Sequence, residues 1–223
     1  IQDSLSSDDT ETICLRYSQK DPRIKYFREK DKGQTDALNR GLEKSTGLYW
    51  TWICSDDFYT NLNALEKLCT SLDNERKKSQ LAVGAFGNSK YYDENAKVLG
   101  AFNDSFKKNL EEADLIHDWP ISQPSSILLR SRIIEIGFLN SSLYLGMDLD
   151  LFLKMLNEKR YFIYVDTYVA GVRVQSNSKS VVYRKKTAEN ALTLIRNHFG
   201  HVGKLRRSQY VMELININLE KII

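Results

Sequence analysis

Apolar residues recur at two alternating periods along the chain, and the alternation predicts an α/β fold. Helical spacing, with apolar positions three and four apart, marks early stripes that begin near Thr10, Gln34 and Leu65. The apolar runs IKYF (24–27), LYWTWI (48–53) and LAVGAF (81–86) predict buried strands. Strands that alternate with helices are typical of a mainly parallel sheet flanked by helices.

The second half of the chain interrupts this alternation. YYDENAKVLGAF, residues 91–102, predicts an antiparallel hairpin. A helix is expected from Asp148, followed by two strands, YFIYV and YVAGVRV, and by two amphipathic helices, the last of them YVMELININLEKII. Low-complexity linkers are absent from the sequence. We therefore expect one domain over residues 1–186 and a C-terminal helical extension over residues 187–223.

Helix ends and composition add two expectations. Gly47 follows the second helix and is expected to close it as a left-handed cap. The 223 residues are 42% hydrophobic and 27% charged, which is ordinary for a globular protein. Three cysteines without C-x-x-C spacing argue for reduced thiols in a cytoplasmic compartment, and against disulfides or a zinc site. No apolar run approaches the ~18 residues of a membrane span.

The net charge of +3 gives no reason to expect a nucleic-acid partner. Positive charge is nevertheless concentrated near the C-terminus, at Lys179, Arg184, Lys185, Lys186, Arg196, Lys204, Arg206 and Arg207. Such a run is usually a solvated face. The sharper alternatives are a phosphorylated ligand or peripheral contact with an anionic membrane surface, at its cytoplasmic face.

Two adjacent carboxylates, Asp56 and Asp57, follow the apolar segment WTWIC. Ligands of open α/β sheets bind beyond the carboxyl ends of the strands, where this pair is expected. Paired acidic oxygens suit a hard divalent cation such as Mg²⁺ or Mn²⁺, which completes its coordination with phosphate oxygens. The simpler alternative is a helix start, with Ser55 or Asp56 capping a turn.

A second acidic pair, Asp148 and Asp150, falls in the first turn of a predicted helix, within GMDLDLFLKM. Acidic residues at a helix N-terminus stabilise its dipole, and that alone could explain them. Alternatively, one of them is a general base. Upstream, SQPSSILLR carries Gln123 and Pro124 at the polar entry to a buried strand, which could line an acceptor pocket. Trp119 could stack on a sugar or belong to the core.

Four segments resemble, in order and spacing, the inverting nucleotide-sugar glycosyltransferases of family 2: EKDKGQTDALNRGLEKSTG, WICSDDFY, QPSSILLRS and GMDLDLFLKM. The resemblance extends from Ile1 to about Lys186. It implies the GT-A fold, a Rossmann-like mixed sheet flanked by helices. The opening IQDSLSSDDT resembles the family's end-of-strand segment, which implies that the first ~35 residues of the family domain, a βα unit, are not in this chain.

The resemblance also implies which residues bind the donor, a UDP-sugar in the first instance. Asp3 matches the aspartate that hydrogen-bonds the nucleotide base. Lys32, Gly33 and Asp36 match the segment that flanks the base and ribose. The implied acceptor is a glycan or a lipid-linked sugar, bound on the side of Trp119, Gln123, Pro124 and Asp150.

For the chemistry, the resemblance assigns Asp57 as the direct ligand of Mn²⁺ or Mg²⁺, Asp56 as a ligand nearer the ribose, and Asp148 as the catalytic base. The base would take the proton of the acceptor hydroxyl, while the cation would neutralise the diphosphate leaving group. We expect an ordinary or depressed pKa to keep Asp148 ionised at pH 7. The implied function is sugar transfer in surface polysaccharide synthesis.

The sequence departs from the family pattern in three places. Ser4, Leu5 and Asp9 stand where glycine is common, Cys54 where Asn or Asp is common, and Gln175 where many relatives carry His. These departures keep open a second hypothesis, a catalytically inactive relative that binds glycans or acts as a scaffold. A phosphohydrolase or nucleotidyltransferase is a third, weakened because the chain has neither an Asp-x-Asp-x-Thr motif nor a phosphate-binding glycine loop.

Overall fold

The computed structural model describes residues 1–102, 106–116, 119–176 and 178–200. Its N-terminal part is a small parallel sheet in which β1 (Gln2–Asp3) pairs with β2 (Phe27–Arg28). Helix α1 (Thr10–Lys20) connects the two strands, and α2 (Gln34–Lys44) follows them. The helices predicted from the first two apolar stripes are confirmed.

The central sheet has seven strands: β3 (Tyr49–Trp50), β4 (Phe58–Tyr59), β5 (Ala82–Tyr92), β6 (Val98–Phe102), β7 (Leu110–Glu111), β8 (Ser126–Leu129) and β9 (Tyr161–Arg173). Their order is β3–β8–β5–β9–β4, with β6 beside β5 and β7 beside β9. In this sheet the long pair β5–β9 is parallel and the other described pairs are antiparallel. The mixed α/β architecture and the β5–β6 hairpin are confirmed, whereas the expectation of a mainly parallel sheet is wrong.

Five helices pack on this sheet or follow it: α3 (Ala64–Arg76), α4 (Arg130–Glu135), α5 (Met147–Leu156), α6 (Lys179–Val182) and α7 (Arg184–Phe199). Successive residues of a strand point to opposite faces, so β9 supplies Phe162 to one apolar cluster and Ile163 to the other. The first apolar cluster, which includes Phe162 and Phe152, contains the buried residues of α5. The second apolar cluster, which includes Ile163 and Leu68, contains the buried residues of α3. Helix α7 crosses residue 186 and buries Ala191 and Ile195 in the first cluster.

Several strand boundaries differ from the sequence expectation. Of the expected strand IKYF, residues 24–27, only Phe27 belongs to a strand, β2. Strand β3 ends at Trp50, because its partner β8 pairs only with Tyr49 and Trp50. YFIYV and YVAGVRV form a single strand, β9, instead of two. A bulge opposite Gly87 absorbs residues 165–167, so the polar residues between the two apolar runs do not break the pairing with β5.

The expected left-handed cap at Gly47 is also wrong. Helix α2 ends two residues earlier, where Ser45 is extended with φ −80° and ψ 150°. The Ser45 hydroxyl donates to the carbonyl of Leu42 at 2.7 Å, so a side chain satisfies a helix-end carbonyl instead. The expected final helix, YVMELININLEKII, lies outside the described residues. Over the part that is described, no helix combines the length and apolarity needed to cross a membrane.

Candidate active site

A tight turn between β3 and β4 brings three potential metal ligands together. The backbone N–H of Asp57 donates to the carbonyl of Cys54 at 3.1 Å and closes the turn. The Cys54 sulfur and one carboxylate oxygen each of Asp56 and Asp57 lie within 4.8 Å of one another. All three side chains are half-buried. The acidic pair therefore belongs to a turn, and it does not cap a helix.

Strand β9 fixes the end of this turn. Phe58 lies opposite Gly171 in the β4–β9 pair, and a Cβ at Gly171 would come within 2.4 Å of the Phe58 ring. Glycine at this position therefore leaves room for the ring against the strand. Two residues further along β9, the backbone N–H of Arg173 donates to Asp57 Oδ1 at 3.3 Å. Strand β9 therefore contacts both the ring that follows the acidic turn and the Asp57 carboxylate.

The electrostatics of the turn suit a bound cation. Burial, with the neighbouring charge of Asp56, raises the pKa of Asp57 to about 6. Burial, with the charges of Asp57 and Asp56, raises the pKa of Cys54 to about 11. Within the described residues, neither carboxylate forms an ion pair with a lysine or arginine. A divalent ion between them would relieve the repulsion, so the donor set fits a metal.

The first turn of α2 connects the acidic turn to helix α5. Gln34 Nε2 donates to the sulfur of Cys54 at 3.4 Å, and Lys179 Nζ donates to Gln34 Oε1 at 3.2 Å. The next residue, Thr35, is buried and donates to the sulfur of Met147 at 2.8 Å. Met147 is the first residue of α5 and precedes Asp148. Sequence reasoning placed Gln34 only on a helical stripe and did not single out Thr35.

Asp148 lies in the first turn of α5, two residues after Gly146, whose φ of +80° is the left-handed conformation at the start of this helix. Its side chain is half-buried. Desolvation raises the pKa of Asp148 above its usual range, against the opposing effect of the Leu149 backbone N–H. The expectation of an ordinary or depressed pKa is therefore wrong, and a raised pKa is closer to what a general base requires.

Asp150 has a different environment from Asp148. Lys154, one helical turn later, donates to its carboxylate at 2.6 Å. The pair has the i, i+4 spacing that stabilises helix surfaces, so the Asp150 charge is balanced within α5.

The N-terminal residues assigned to the donor are held by their own hydrogen bonds. Asp3 is buried and accepts from the Tyr26 hydroxyl at 2.7 Å. Hydrogen bonds from Ser6, and then from Tyr26, hold the pKa of Asp3 below its usual range. In the loop before α2, the Lys32 backbone N–H donates to Asp36 Oδ2 at 2.9 Å.

Gly33, between that loop and α2, has φ +120°, a conformation that L side chains rarely adopt. Its backbone N–H donates to the Asp31 carboxylate at 2.9 Å. With the Lys32–Asp36 hydrogen bond, this fixes the path by which the chain enters α2.

The segment assigned to the acceptor runs beside the acidic turn. Gln123 Nε2 donates to the backbone carbonyl of Trp52 at 2.7 Å, two residues before Cys54. Pro124 is buried in a short 3₁₀ turn that leads into β8. Trp119 packs its ring edge-to-face against Phe152, with 5.3 Å between centroids. Gln123 and the acidic turn are therefore neighbours, and Trp119 packs on the core.

Comparison with known sequences identifies relatives. Residues 1–135 match the family described as glycosyl transferase family 2, a match that contains the acidic turn and ends before Asp148. An uncharacterized glycosyltransferase of Rickettsia typhi is 27% identical over 220 residues, covering 93% of this chain and 63% of the relative. The glycosyltransferase GlyA of Streptococcus pneumoniae is 28% identical over 200 residues, covering 81% of this chain and 27% of the relative.

The chain spans only part of the relatives that it matches. It covers 25% of the length of an uncharacterized glycosyltransferase of Rickettsia felis, to which it is 29% identical over 160 residues.

Solved structures share the fold. S. aureus TarS 1–349 in complex with UDP-GlcNAc superposes with a TM-score of 0.62 at 15% identity, covering 96% of this chain and 61% of the TarS 1–349 chain. A mannosyltransferase of Pyrobaculum calidifontis, in complex with GDP-Man and Mn²⁺, superposes with a TM-score of 0.61 at 14% identity, covering 95% of this chain and 58% of that protein. The fold is thus that of GT-A glycosyltransferases. Because the family match spans more than half of the sequence, the chain belongs to glycosyl transferase family 2.

Proposed function

We propose that the protein transfers a sugar from a nucleotide-diphosphate donor, a UDP-sugar in the first instance, to a hydroxyl group of an acceptor, with inversion at the anomeric carbon. The observation that carries this proposal is the link through α2. Gln34 contacts the acidic turn and Thr35 contacts the start of α5, which carries Asp148. Family membership and the nucleotide sugars bound by TarS and the mannosyltransferase support the same assignment.

Asp57 and Asp56 are the proposed ligands of a divalent cation, Mn²⁺ or Mg²⁺. Their mutual repulsion and the raised pKa of Asp57 support this role, because both are relieved when a cation binds. A bound divalent cation would neutralise the charge that develops on the diphosphate leaving group. The fold neighbour that contains Mn²⁺ supports a metal of this class.

Asp148 is the proposed general base. It would accept the proton of the acceptor hydroxyl while the oxygen attacks the anomeric carbon and the bond to the diphosphate breaks on the opposite face. A desolvated carboxylate with a raised pKa holds this proton better than an exposed one does. Asp150 is already paired with Lys154, which favours Asp148 for this role.

The donor and acceptor subsites follow from the surrounding residues. Asp3 is proposed to bind the nucleotide base, and Lys32, Gly33 and Asp36 to flank the base and ribose at the entry to α2. The acceptor is proposed to be a glycan or a lipid-linked sugar used in surface polysaccharide synthesis. Its proposed binding side is formed by Trp119, Gln123, Pro124 and Asp150.

Exposed Lys185, Lys186 and Arg196 on α7 support peripheral contact with an anionic membrane surface, at its cytoplasmic face. Lys204, Arg206 and Arg207, which belong to the same basic run, lie outside the described residues.

Calorimetry on the full-length protein tests the proposed function. UDP-sugars and GDP-sugars are titrated with and without Mn²⁺. Transfer to a glycan acceptor is measured separately, as release of the nucleoside diphosphate. We expect metal-dependent binding of a nucleotide sugar, which Asp57→Ala abolishes. Absence of nucleotide-sugar binding under all conditions would overturn the proposal.

A second candidate is a catalytically inactive relative that binds glycans or acts as a scaffold. The altered first loop, in which Ser4, Leu5 and Asp9 stand where glycine is common in the family, and Gln175 are the observations that favour it. Detection of any sugar transfer, or of slow hydrolysis of the donor, would exclude this candidate.

A further inference from the structure

Cys54 is the member of the acidic turn that the proposed transfer leaves without a role. Its sulfur lies within 4.8 Å of carboxylate oxygens from both Asp56 and Asp57. The side-chain amide of Gln34 donates to this sulfur at 3.4 Å. Cys14 and Cys69 belong to α1 and α3 and are not members of this ligand group.

We infer that Cys54 is a third protein ligand of the bound cation, and that the site therefore selects a thiophilic divalent ion such as Zn²⁺ or Co²⁺ over Mg²⁺. This inference rests on the proposed function, since it adds a ligand to the cation that the transfer uses. Thiolate is a soft donor that binds late transition metals, whereas Mg²⁺ prefers oxygen ligands and keeps its waters. A turn that offers two oxygen ligands and one sulfur ligand should therefore bind late transition metals in preference to Mg²⁺. A turn that offers only oxygen ligands would not have this preference.

The distances allow this coordination. In a tetrahedral site with bonds of ~2.3 Å to sulfur and ~2.1 Å to oxygen, two donors would lie about 3.6 Å apart. The three donor atoms of the turn already lie within 4.8 Å of one another, so side-chain rotation would bring them to this distance when a metal binds. The hydrogen bond from the Asp57 N–H to the Cys54 carbonyl already holds the backbone of these two residues close together.

The chemistry of binding balances without another reactant. The metal replaces the proton on the Cys54 sulfur, the S–H electron pair stays on sulfur and forms the bond to the metal, and water takes the proton. The Gln34 amide remains a donor to the sulfur and stabilises its negative charge. Lys179 Nζ donates to Gln34 Oε1 at 3.2 Å, so a positive charge lies on the oxygen side of the same amide. Outer partners of this kind orient ligands and raise metal affinity.

The competing explanation is that Cys54 only fills space, because the side chain also packs against the first apolar cluster. The two explanations differ in what the sulfur does when a metal binds. A space-filling thiol leaves the electronic spectrum of a bound metal unchanged, whereas a ligating thiolate adds a charge-transfer band to the spectrum of bound Co²⁺.

Titration of the full-length protein with Co²⁺ alone, followed by absorption and calorimetry, tests the inference. We expect a sulfur-to-cobalt charge-transfer band that Cys54→Ser removes and the matched control Cys69→Ser retains. Cys54→Asp, which supplies an oxygen donor in the same place, should still bind Co²⁺ without the band. Its preference for Co²⁺ over Mg²⁺ should be at least tenfold smaller than that of the wild type.

A band that survives Cys54→Ser, or Co²⁺ bound by the wild type without a band, would overturn the inference. So would absence of Co²⁺ binding. Each of these results leaves the proposed function to its own test, since nucleotide-sugar binding with Mn²⁺ is measured separately.

Discussion

Thr35 and Met147, 112 positions apart, are joined by a hydrogen bond from the threonine hydroxyl to the methionine sulfur. Thr35 is the second residue of α2, and Met147 is the first residue of α5. The same hydroxyl lies 3.4 Å from the carbonyl of Leu143, in the loop that leads to α5. The buried Thr35 side chain therefore holds the start of α5, which carries Asp148, against α2, which contacts Cys54 through Gln34.

Thr35→Val tests whether this contact positions the base. Valine keeps the shape of threonine and removes the hydroxyl, so the free energy of unfolding should fall by only about 1 kcal/mol. If the start of α5 shifts, kcat for sugar transfer should fall about 10-fold to 100-fold, while KM for the donor changes little. The control is Thr70→Val, at an exposed position on α3. Unchanged kcat in Thr35→Val would contradict the positioning role.

Asp148→Asn separates the base from donor binding. Asparagine has the size of aspartate but cannot accept the proton of the acceptor hydroxyl, so transfer should fall about 10²-fold to 10⁴-fold. Donor affinity, measured by calorimetry with Mn²⁺, should remain within about twofold of the wild type. Asp150→Asn is the matched control and should lose far less activity, because its carboxylate is paired with Lys154. Full activity in Asp148→Asn would remove Asp148 from the role of base.

Local patterns predicted much of the fold. The stripes of α2 and α3 are visible because one face of each helix is buried, which leaves an apolar period of 3.6 residues. Helix α1 shows the same period although it buries only Cys14, and α5 is buried on most of its sides. The acidic pair was visible because two adjacent carboxylates after an apolar segment are costly without a ligand.

Features that depend on partners far along the chain could not be predicted from these patterns. WTWI has the pattern of a continuous strand, but its pairing with β8 ends at Trp50. The carbonyl of Trp52 instead accepts a hydrogen bond from the side chain of Gln123. The link from Gln34 to Cys54 joins two polar positions that have no periodic pattern in common. The link from Thr35 to Met147 joins positions 112 residues apart in the same way.

Asp57→Asn tests the electrostatic cost of the acidic turn. Burial and Asp56 raise the pKa of Asp57 from 3.8 to about 6, so the folded protein binds this proton more tightly than the unfolded chain does. Stability therefore rises as the pH falls from about 7 toward about 4, and the penalty is fully present above about pH 7. Because the side chain is only partly buried, solvent screening reduces the penalty to about 1–2 kcal/mol.

Asparagine keeps the acceptor oxygen for the Arg173 N–H and removes the charge. Without metal at pH 7, Asp57→Asn should therefore be more stable than the wild type in urea unfolding, by about 1–2 kcal/mol. Near pH 4 the difference should vanish. Saturating Mn²⁺ should reverse the order, because only the wild type gains binding energy. Glu94→Gln, at an exposed position in the β5–β6 turn, removes the same charge and should show neither effect.

Gly171→Ala tests whether the close packing of Phe58 on Gly171 fixes the position of the acidic turn. The added methyl would lie 2.4 Å from the ring, so the ring and the turn must move, at a cost of about 1–3 kcal/mol. Chemical denaturation measures this loss directly. Gly100→Ala is the matched control, since nothing lies within 4 Å of its Cβ, and its stability should stay within about 0.5 kcal/mol of the wild type.

Displacement of Phe58 also moves Asp57 away from the Arg173 N–H. Metal affinity should therefore fall in Gly171→Ala and not in Gly100→Ala, although neither residue supplies a ligand. Phe58→Ala combined with Gly171→Ala removes the clash and should recover part of the lost stability without restoring metal affinity, because the ring that fixed the turn is gone. If Gly171→Ala alone binds metal as tightly as the wild type, the acidic turn is held by its own hydrogen bonds and not by β9.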